Sequence, residues 1–199
     1  MNTPLIEWGV ASLTMPGQSQ SGDRHLVQPY TNGLLVAVLD GLGHGEQATA
    51  VADLAVTALI KHAHESVIAL VKRCHDALRE TRGVVMSLAS FNELDRVLTW
   101  IGIGNVEGLV LHAEGSPHSR HEYLLLRGGV VGGQLPSLSA SIVPLTQGDT
   151  LVFTTDGIRG GFAKDLSTSD PPQEMADRIL AKYSKGSDDA LVFVARFLK

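Results

Sequence analysis

Cysteine and clustered basic residues are scarce in this sequence of 199 residues, and each shortage excludes a class of protein. The one cysteine, Cys74, excludes an intramolecular disulfide, and within the helical pattern VKRCHDAL it is typical of a buried, inert thiol. The formal net charge is -5 and Lys and Arg are dispersed along the chain. We therefore expect neither nucleic acid nor a membrane surface as a partner.

Long apolar runs are also missing. The longest uncharged stretch, residues 128–148, contains too much Gly, Pro and Ser for a membrane span. At the N-terminus no basic segment precedes an apolar run, so we expect no signal peptide and a cytoplasmic protein.

The hydrophobic content of 44% is enough for one sizeable core, and we predict a single domain over residues 1–199. Helices are predicted at 46–63, 66–80 and 171–184. The first should be largely buried, because apolar residues cover most of its circumference, and Ser66 should be the N-cap of the second. Strands are predicted over 4–14, 25–30, 33–39, 84–91, 96–104, 108–114, 122–127, 149–156 and 188–197. Because strands and helices do not alternate, this order predicts an α+β fold with antiparallel sheet and helices on its outer faces.

Carboxylates occur where predicted strands begin or end. The segments VAVLDG (36–41) and VFTTDG (152–157) both close an apolar strand with Asp-Gly, Asp188-Asp189 opens the last strand, and Gly22-Asp23 precedes another. If these termini meet at one rim of a sheet, the carboxylates converge and repel one another. A hard divalent cation such as Mg²⁺ or Mn²⁺, which prefers oxygen ligands, removes that cost.

In such a site Asp40 would bridge two metals, and Gly41 would offer its carbonyl oxygen without a side chain in the way. Two metals about 3.5–4 Å apart activate water and hold a phosphoryl oxygen. A single Asp-Gly pair, by contrast, is more typical of a turn. His44 has two interpretations, as a turn residue before the first helix or as a proton donor in catalysis. The amides of residues 43–46 stand where a helix N-terminus attracts an anion.

The ordered set GD (22–23), DGLGHG (40–45), TTDG (154–157) and DD (188–189) resembles the metal-dependent protein phosphatases, the PPM family, also called protein phosphatase 2C. The segments that follow DGLGHG and lead to TTDG are similar to the bacterial sporulation and stress-response branch of that family. The resemblance implies an α-β-β-α sandwich with two Mn²⁺ or Mg²⁺ ions at one rim. It also implies hydrolysis of phosphoserine or phosphothreonine in proteins by metal-activated water.

Matched residue by residue, the resemblance implies that Asp40 bridges the two ions and that Gly41 is a ligand through its carbonyl. Asp156 and Asp188 would complete one metal site, and Asp23 would serve the other, directly or through water. Asp40 and His44 are the candidate catalytic residues.

The sequence departs from the family pattern before and after these motifs. Larger members carry an arginine shortly before the first acidic motif to hold phosphate, whereas this loop reads PGQSQSG (16–22) and Arg24 follows Asp23. The segment 158–170 is too short for a large flap. A bare catalytic domain of this kind is similar to the single-domain stressosome phosphatases, which implies phosphorylated STAS-domain proteins as substrates. Two alternatives stay open, a non-catalytic interaction module of the same fold and a two-metal hydrolase of small phosphoesters.

Overall fold

The computed structural model describes residues 4–116 and 120–199, and these form strands and helices in the order β-β-β-α-α, seven strands, one helix and a last strand. The helices are Gly45–His62 (α1), Val67–Ala77 (α2) and Pro172–Tyr183 (α3), and Phe162–Asp165 form a short 3₁₀ turn. The strands are Ile6–Leu13 (β1), Asp23–Tyr30 (β2), Gly33–Gly41 (β3), Val84–Asn92 (β4), Val97–Ile103 (β5), Glu107–Leu111 (β6), His121–Tyr123 (β7), Leu126–Arg127 (β8), Ser141–Pro144 (β9), Thr150–Thr154 (β10) and Ala190–Phe197 (β11).

The strands form two sheets that face each other. One has the order β1-β11-β10-β6-β7, and the other has the order β2-β3-β4-β5-β8 with β9 also paired to β5. Neighbouring strands are antiparallel except β5 and β8, which are parallel. Alternate side chains of both sheets fill the space between them, among them Val36 and Phe91 from one sheet and Phe153 and Phe193 from the other.

The helices cover the two outer faces. Leu39 of β3 packs with Leu59 of α1 and Leu70 of α2, while Val192 of β11 packs with Ile179 of α3. The layers are therefore α-β-β-α, which confirms the predicted α+β fold class. No helix within the described ranges is both long enough and apolar enough to cross a bilayer.

The helix predictions are confirmed in position, but one detail is wrong. Ser66 caps α2 as expected, because its Oγ accepts a hydrogen bond from the Ala69 amide at 3.3 Å. The prediction that the first helix is largely buried fails, since Leu54 and Ile60 are 42% and 48% exposed. The reason is that α1 packs on the sheet with one face only and presents the other to solvent.

One predicted strand, residues 122–127, is in fact two. Its first part belongs to β7, which pairs with β6, and its last part is β8, which pairs with β5 in the other sheet. The chain crosses between the sheets at Leu124, whose side chain is buried in the core between them. Strand β9 lies in the stretch 128–148, for which the sequence pattern predicts no element.

Gly41 and Gly157 each follow a strand-terminal aspartate and stand where another backbone segment comes very close. A Cβ at Gly41 would overlap the carbonyl oxygen of Ala48 in α1, and a Cβ at Gly157 would overlap the carbonyl oxygen of Asp189. Only glycine therefore lets α1 approach the end of β3, and lets the chain before β11 approach the end of β10.

We expect Gly157→Ala to lower the free energy of unfolding by about 1–3 kcal/mol, because the added methyl group displaces the backbone of Asp189. For a chain of this size the melting temperature should fall by about 2–4 °C for each kcal/mol. Gly160→Ala is the matched control, since no atom lies within 4 Å of its Cβ position. Equal melting temperatures for the two variants would contradict the close approach.

Candidate metal centre

Four strand ends place carboxylates at one end of the sandwich. Asp23 and Asp40 face each other across β2 and β3. Asp156 follows the end of β10 and Asp188 precedes the start of β11, and because these strands are antiparallel neighbours the two residues come to the same edge. Thr155 joins the sheets, since its hydroxyl donates to Asp23 Oδ2 at 2.7 Å. The strand ends meet as expected, and the role of these carboxylates as metal ligands stays a prediction.

Asp23 is held in place from both sheets. Asp23 is only 4% exposed, and its backbone amide donates to Ser21 Oγ at 3.0 Å. The Thr155 hydroxyl that binds Asp23 also accepts a hydrogen bond from the Leu191 amide of β11 at 2.8 Å. Thr155 lies within the TTDG motif, but the sequence pattern does not show its role, because its partner Asp23 is 132 residues away.

The two adjacent aspartates before β11 have different environments. Asp189 is 7% exposed, and its two carboxylate oxygens accept hydrogen bonds from the amides of Met15 and Gly22, both at 2.7 Å. Asp188 is exposed, and its carboxylate accepts a hydrogen bond from the Asp189 amide at 2.9 Å. Asp189 thus fixes the loop that leads to Asp23, which leaves Asp188 as the member of the pair that can turn toward a ligand.

Asp156 has a hydrogen-bond partner that the sequence pattern did not predict. Asn105, at the turn between β5 and β6, donates from Nδ2 to Asp156 Oδ2 at 2.8 Å. The signal available in the sequence was weak, because GIGNVEG (102–108) is what an ordinary hairpin turn looks like. The contact links the turn between β5 and β6 to the end of β10 and orients the Asp156 carboxylate.

Gly41 and His44 lie on the segment that connects β3 to α1. The Gly41 amide donates to the Gly22 carbonyl at 3.2 Å, so the first two acidic motifs are bonded through their glycines. His44 is exposed and occupies the N-cap position of α1, where its side chain makes no capping hydrogen bond. Its proposed role as a proton donor stays a prediction.

Burial and mutual repulsion change the acidity of these carboxyls. Burial, with the charge of Asp40 as the next cause, raises the pKa of Asp23 to about 8. Burial, followed by the charges of Asp156 and Asp188, raises the pKa of Asp40 to about 7. The pKa of Asp156 is raised as well, by burial and then by Asp188. These groups therefore behave as a cluster that resists carrying its full negative charge.

The donor set fits a hard divalent cation in its chemistry, because it consists of carboxylate oxygens and one backbone carbonyl. As the side chains stand, no three His, Cys, Asp or Glu groups in residues 4–116 and 120–199 are arranged to hold a metal ion. Thr155 and Asn105 each engage one carboxylate oxygen, of Asp23 and of Asp156 respectively. Binding of Mg²⁺ or Mn²⁺ would require side-chain rotations and, because the pKa values of Asp23 and Asp40 are raised, the cation would compete with protons for these carboxylates.

Two other residues singled out in the sequence take structural positions. Arg24 is bound to Asp53 at 2.6 Å through Nε, and its Nη1 donates to the carbonyls of Ser21 and Asp23, so its guanidinium helps to hold the loop. Cys74 is buried within α2 against α1, and burial raises the pKa of its thiol to about 12. The expectation of an inert thiol is consistent with that position.

Known proteins resemble this chain over most of its length. The profile of the family described as Stage II sporulation protein E (SpoIIE) matches residues 31–198. Phosphoserine phosphatase RsbX of Bacillus subtilis (strain 168) is 26% identical over 193 residues, which cover 95% of this chain and 93% of the relative.

Solved structures agree in fold. One solved structure is described as "The bacterial stressosome: a modular system that has been adapted to control secondary messenger signaling". It superposes with a TM-score of 0.87 at 27% identity, and the match covers 96% of this chain and 99% of that one. The crystal structure of RsbX in complex with magnesium superposes with a TM-score of 0.86 at 23% identity and covers 99% of this chain and 98% of that one.

We expect the metal-free protein to become less stable as pH rises from about 4 to about 8. The pKa values of Asp23 and Asp40 are raised above the ordinary value of 3.8, so over this range the folded state binds more protons than the unfolded chain. Denaturant titrations in EDTA at several pH values measure the slope, and added Mg²⁺ should restore stability at the upper end.

Asp40→Asn removes one of the repelling charges and should flatten this pH dependence. Asp95→Asn, at the exposed turn after β4, removes a carboxylate remote from the rim and should leave the wild-type slope. A slope in EDTA that is the same in both variants would contradict the proposed repulsion.

Proposed function

Because the chain belongs to the Stage II sporulation protein E (SpoIIE) family, we propose that it is a metal-dependent protein serine/threonine phosphatase. That membership confirms the resemblance to the PPM phosphatases and their sporulation and stress-response branch. The observation that carries the proposal is the rim itself, where Asp23 and Asp40 from one sheet meet Asp156 and Asp188 from the other. We propose the cytoplasm as its location.

The ligand assignment follows the arrangement of the rim. Asp40 would bridge two cations and the Gly41 carbonyl would bind one of them, while Asp156 and Asp188 complete one site and Asp23 serves the other. Bound Mg²⁺ or Mn²⁺ would supply charge neutralisation at the rim and activation of water for attack on phosphorus. The magnesium complex of RsbX supports this choice of ion.

The remaining residues position these groups. Thr155 orients Asp23, Asn105 orients Asp156, and Asp189 holds the loop before Asp23. Water attacks the phosphorus of phosphoserine or phosphothreonine, the bond to the side-chain oxygen breaks, and that oxygen takes up a proton. His44, exposed at the start of α1, is the proposed donor of that proton.

We propose phosphorylated STAS-domain proteins as the substrates, since the relatives include RsbX and a structure from the bacterial stressosome. Without an arginine in residues 16–22 and without a flap, recognition must use a wider surface. A groove of about 420 Å³ is lined in part by Tyr123, Phe162 and Glu107, and Glu107 pairs with Thr154, two residues before Asp156. Tyr123 is 64% exposed there. A folded partner with its phosphorylated residue at the rim would reach this groove.

We expect Asp40→Asn to lower the phosphatase rate at least about a hundredfold while the protein stays folded, because the amide cannot supply the bridging charge. Phosphate release with Mn²⁺ or Mg²⁺ measures the rate, and EDTA should abolish wild-type activity. Asp95→Asn and Cys74→Ser should keep nearly full activity. Normal turnover by Asp40→Asn, or by the wild type in EDTA, would overturn the metal mechanism.

An intact phosphorylated STAS domain should be hydrolysed with kcat/KM at least about tenfold above that of a peptide around the same phosphosite, a gap of roughly 1.4 kcal/mol. Tyr123→Ala should reduce this preference and leave the peptide rate unchanged. Leu94→Ala, exposed near the opposite end of the sheet, is the control. Equal efficiency on domain and peptide would refute docking, and a preference for phosphotyrosine or a small phosphoester would refute the substrate class.

A further inference from the structure

Arg82 lies at the same end of the sandwich as the carboxylate rim. Strand β4 begins at Val84, which pairs with Gly41, and the Leu42 amide donates to the Gly83 carbonyl at 3.1 Å. Arg82 therefore stands beside the segment that leads from the rim to α1, on the opposite side of β3 from Asp23.

The Arg82 guanidinium rests against this segment. Its Nη1 lies 2.8 Å from the point where a Cβ on Gly43 would stand, and Gly43 has a φ of +112°, which favours glycine. Any side chain at position 43 would displace the guanidinium. Val84 is hydrogen bonded to Val131 at 2.9 Å, so the loop 128–133 lies beside the residues that directly follow Arg82.

Among the described residues, no hydrogen bond or ion pair engages the Arg82 side chain, which is exposed. Other arginines of the chain are used differently, since Arg24, Arg73 and Arg178 are each paired with a carboxylate. Arg82 thus has its full set of donors available beside the rim. A planar guanidinium binds two oxygens of a phosphate group at once, which makes it the side chain best suited to that anion.

We infer that Arg82 binds the phosphate group of the substrate, an inference that rests on the proposed phosphatase function. It supplies the phosphate contact that the loop PGQSQSG lacks and that Arg24 cannot make, because Arg24 is bound to Asp53 and to loop carbonyls. Arg127 and Lys185 also lie near this end, where their backbones bond to Gly104 and Gly157. Of these three side chains, the Arg82 guanidinium is the one that the structure places against the DGLGHG segment, at Gly43.

The test compares Arg82→Gln with Arg79→Gln, which removes the same charge three residues earlier from an exposed side chain paired with Asp76. Calorimetric titration of the Mn²⁺-loaded proteins with inorganic phosphate should show affinity reduced about tenfold or more in Arg82→Gln only. KM for the phosphoprotein should rise by a similar factor, with kcat changed less. Mn²⁺ affinity and melting temperature should match the wild type.

Unchanged phosphate affinity in Arg82→Gln would overturn the inference, and so would a larger loss in Arg127→Gln or Lys185→Gln. Arg82→Lys should recover only part of the affinity, because a single ammonium cannot hold two oxygens in the same way. If the wild type releases no phosphate from phosphoproteins, the proposed function fails. The phosphate titration still decides whether Arg82 binds this anion.

Discussion

Repulsion between carboxylates that share a partly buried rim is the constraint on which the structure of this end of the molecule depends. Asp23 and Asp40 face each other across two strands, and burial and mutual charge raise the pKa of both. Such groups would move apart or draw in water if the chain allowed it. The Thr155 hydroxyl opposes this at Asp23, because it binds that carboxylate and accepts from the Leu191 amide of β11, and Asp189 fixes the loop before Asp23 through two amides.

The rest of the sandwich supplies the rigidity that this rim requires. Apolar side chains of both sheets fill the space between them, and helices close the two outer faces. The strand ends therefore cannot separate without opening the core. Gly41 and Gly157 add to this restraint, since each lets a neighbouring backbone approach more closely than a side chain permits. The favourable packing of the core thus holds together charges that destabilise the rim, as is common at functional sites.

The sequence predicted the layers and the rim because both depend on local patterns. Apolar strands that end in Asp-Gly are visible in a few adjacent residues, and the order of elements indicates the fold class. The hydrogen bonds that orient the carboxylates were out of reach, since Asn105 and Asp156 are 51 residues apart and Asp23 and Thr155 are 132 apart. The split of residues 122–127 between two sheets was missed for a related reason. An apolar pattern predicts a strand, but not which sheet the strand joins.

The charge of the rim also sets the order in which ligands can bind. A phosphorylated side chain is close to a dianion near neutral pH, and the negative charge that the rim carries there repels it. In the proposed function, cations would therefore neutralise the rim before phosphate approaches the carboxylates. Arg82 differs from the carboxylates because it is a cation that lies beside the rim, just before β4, where it would attract phosphate. In the proposed function, an anion site at the start of β4 would lie beside a cation site built from strand ends of both sheets, so that each charge of the reaction would be held by its own group of residues.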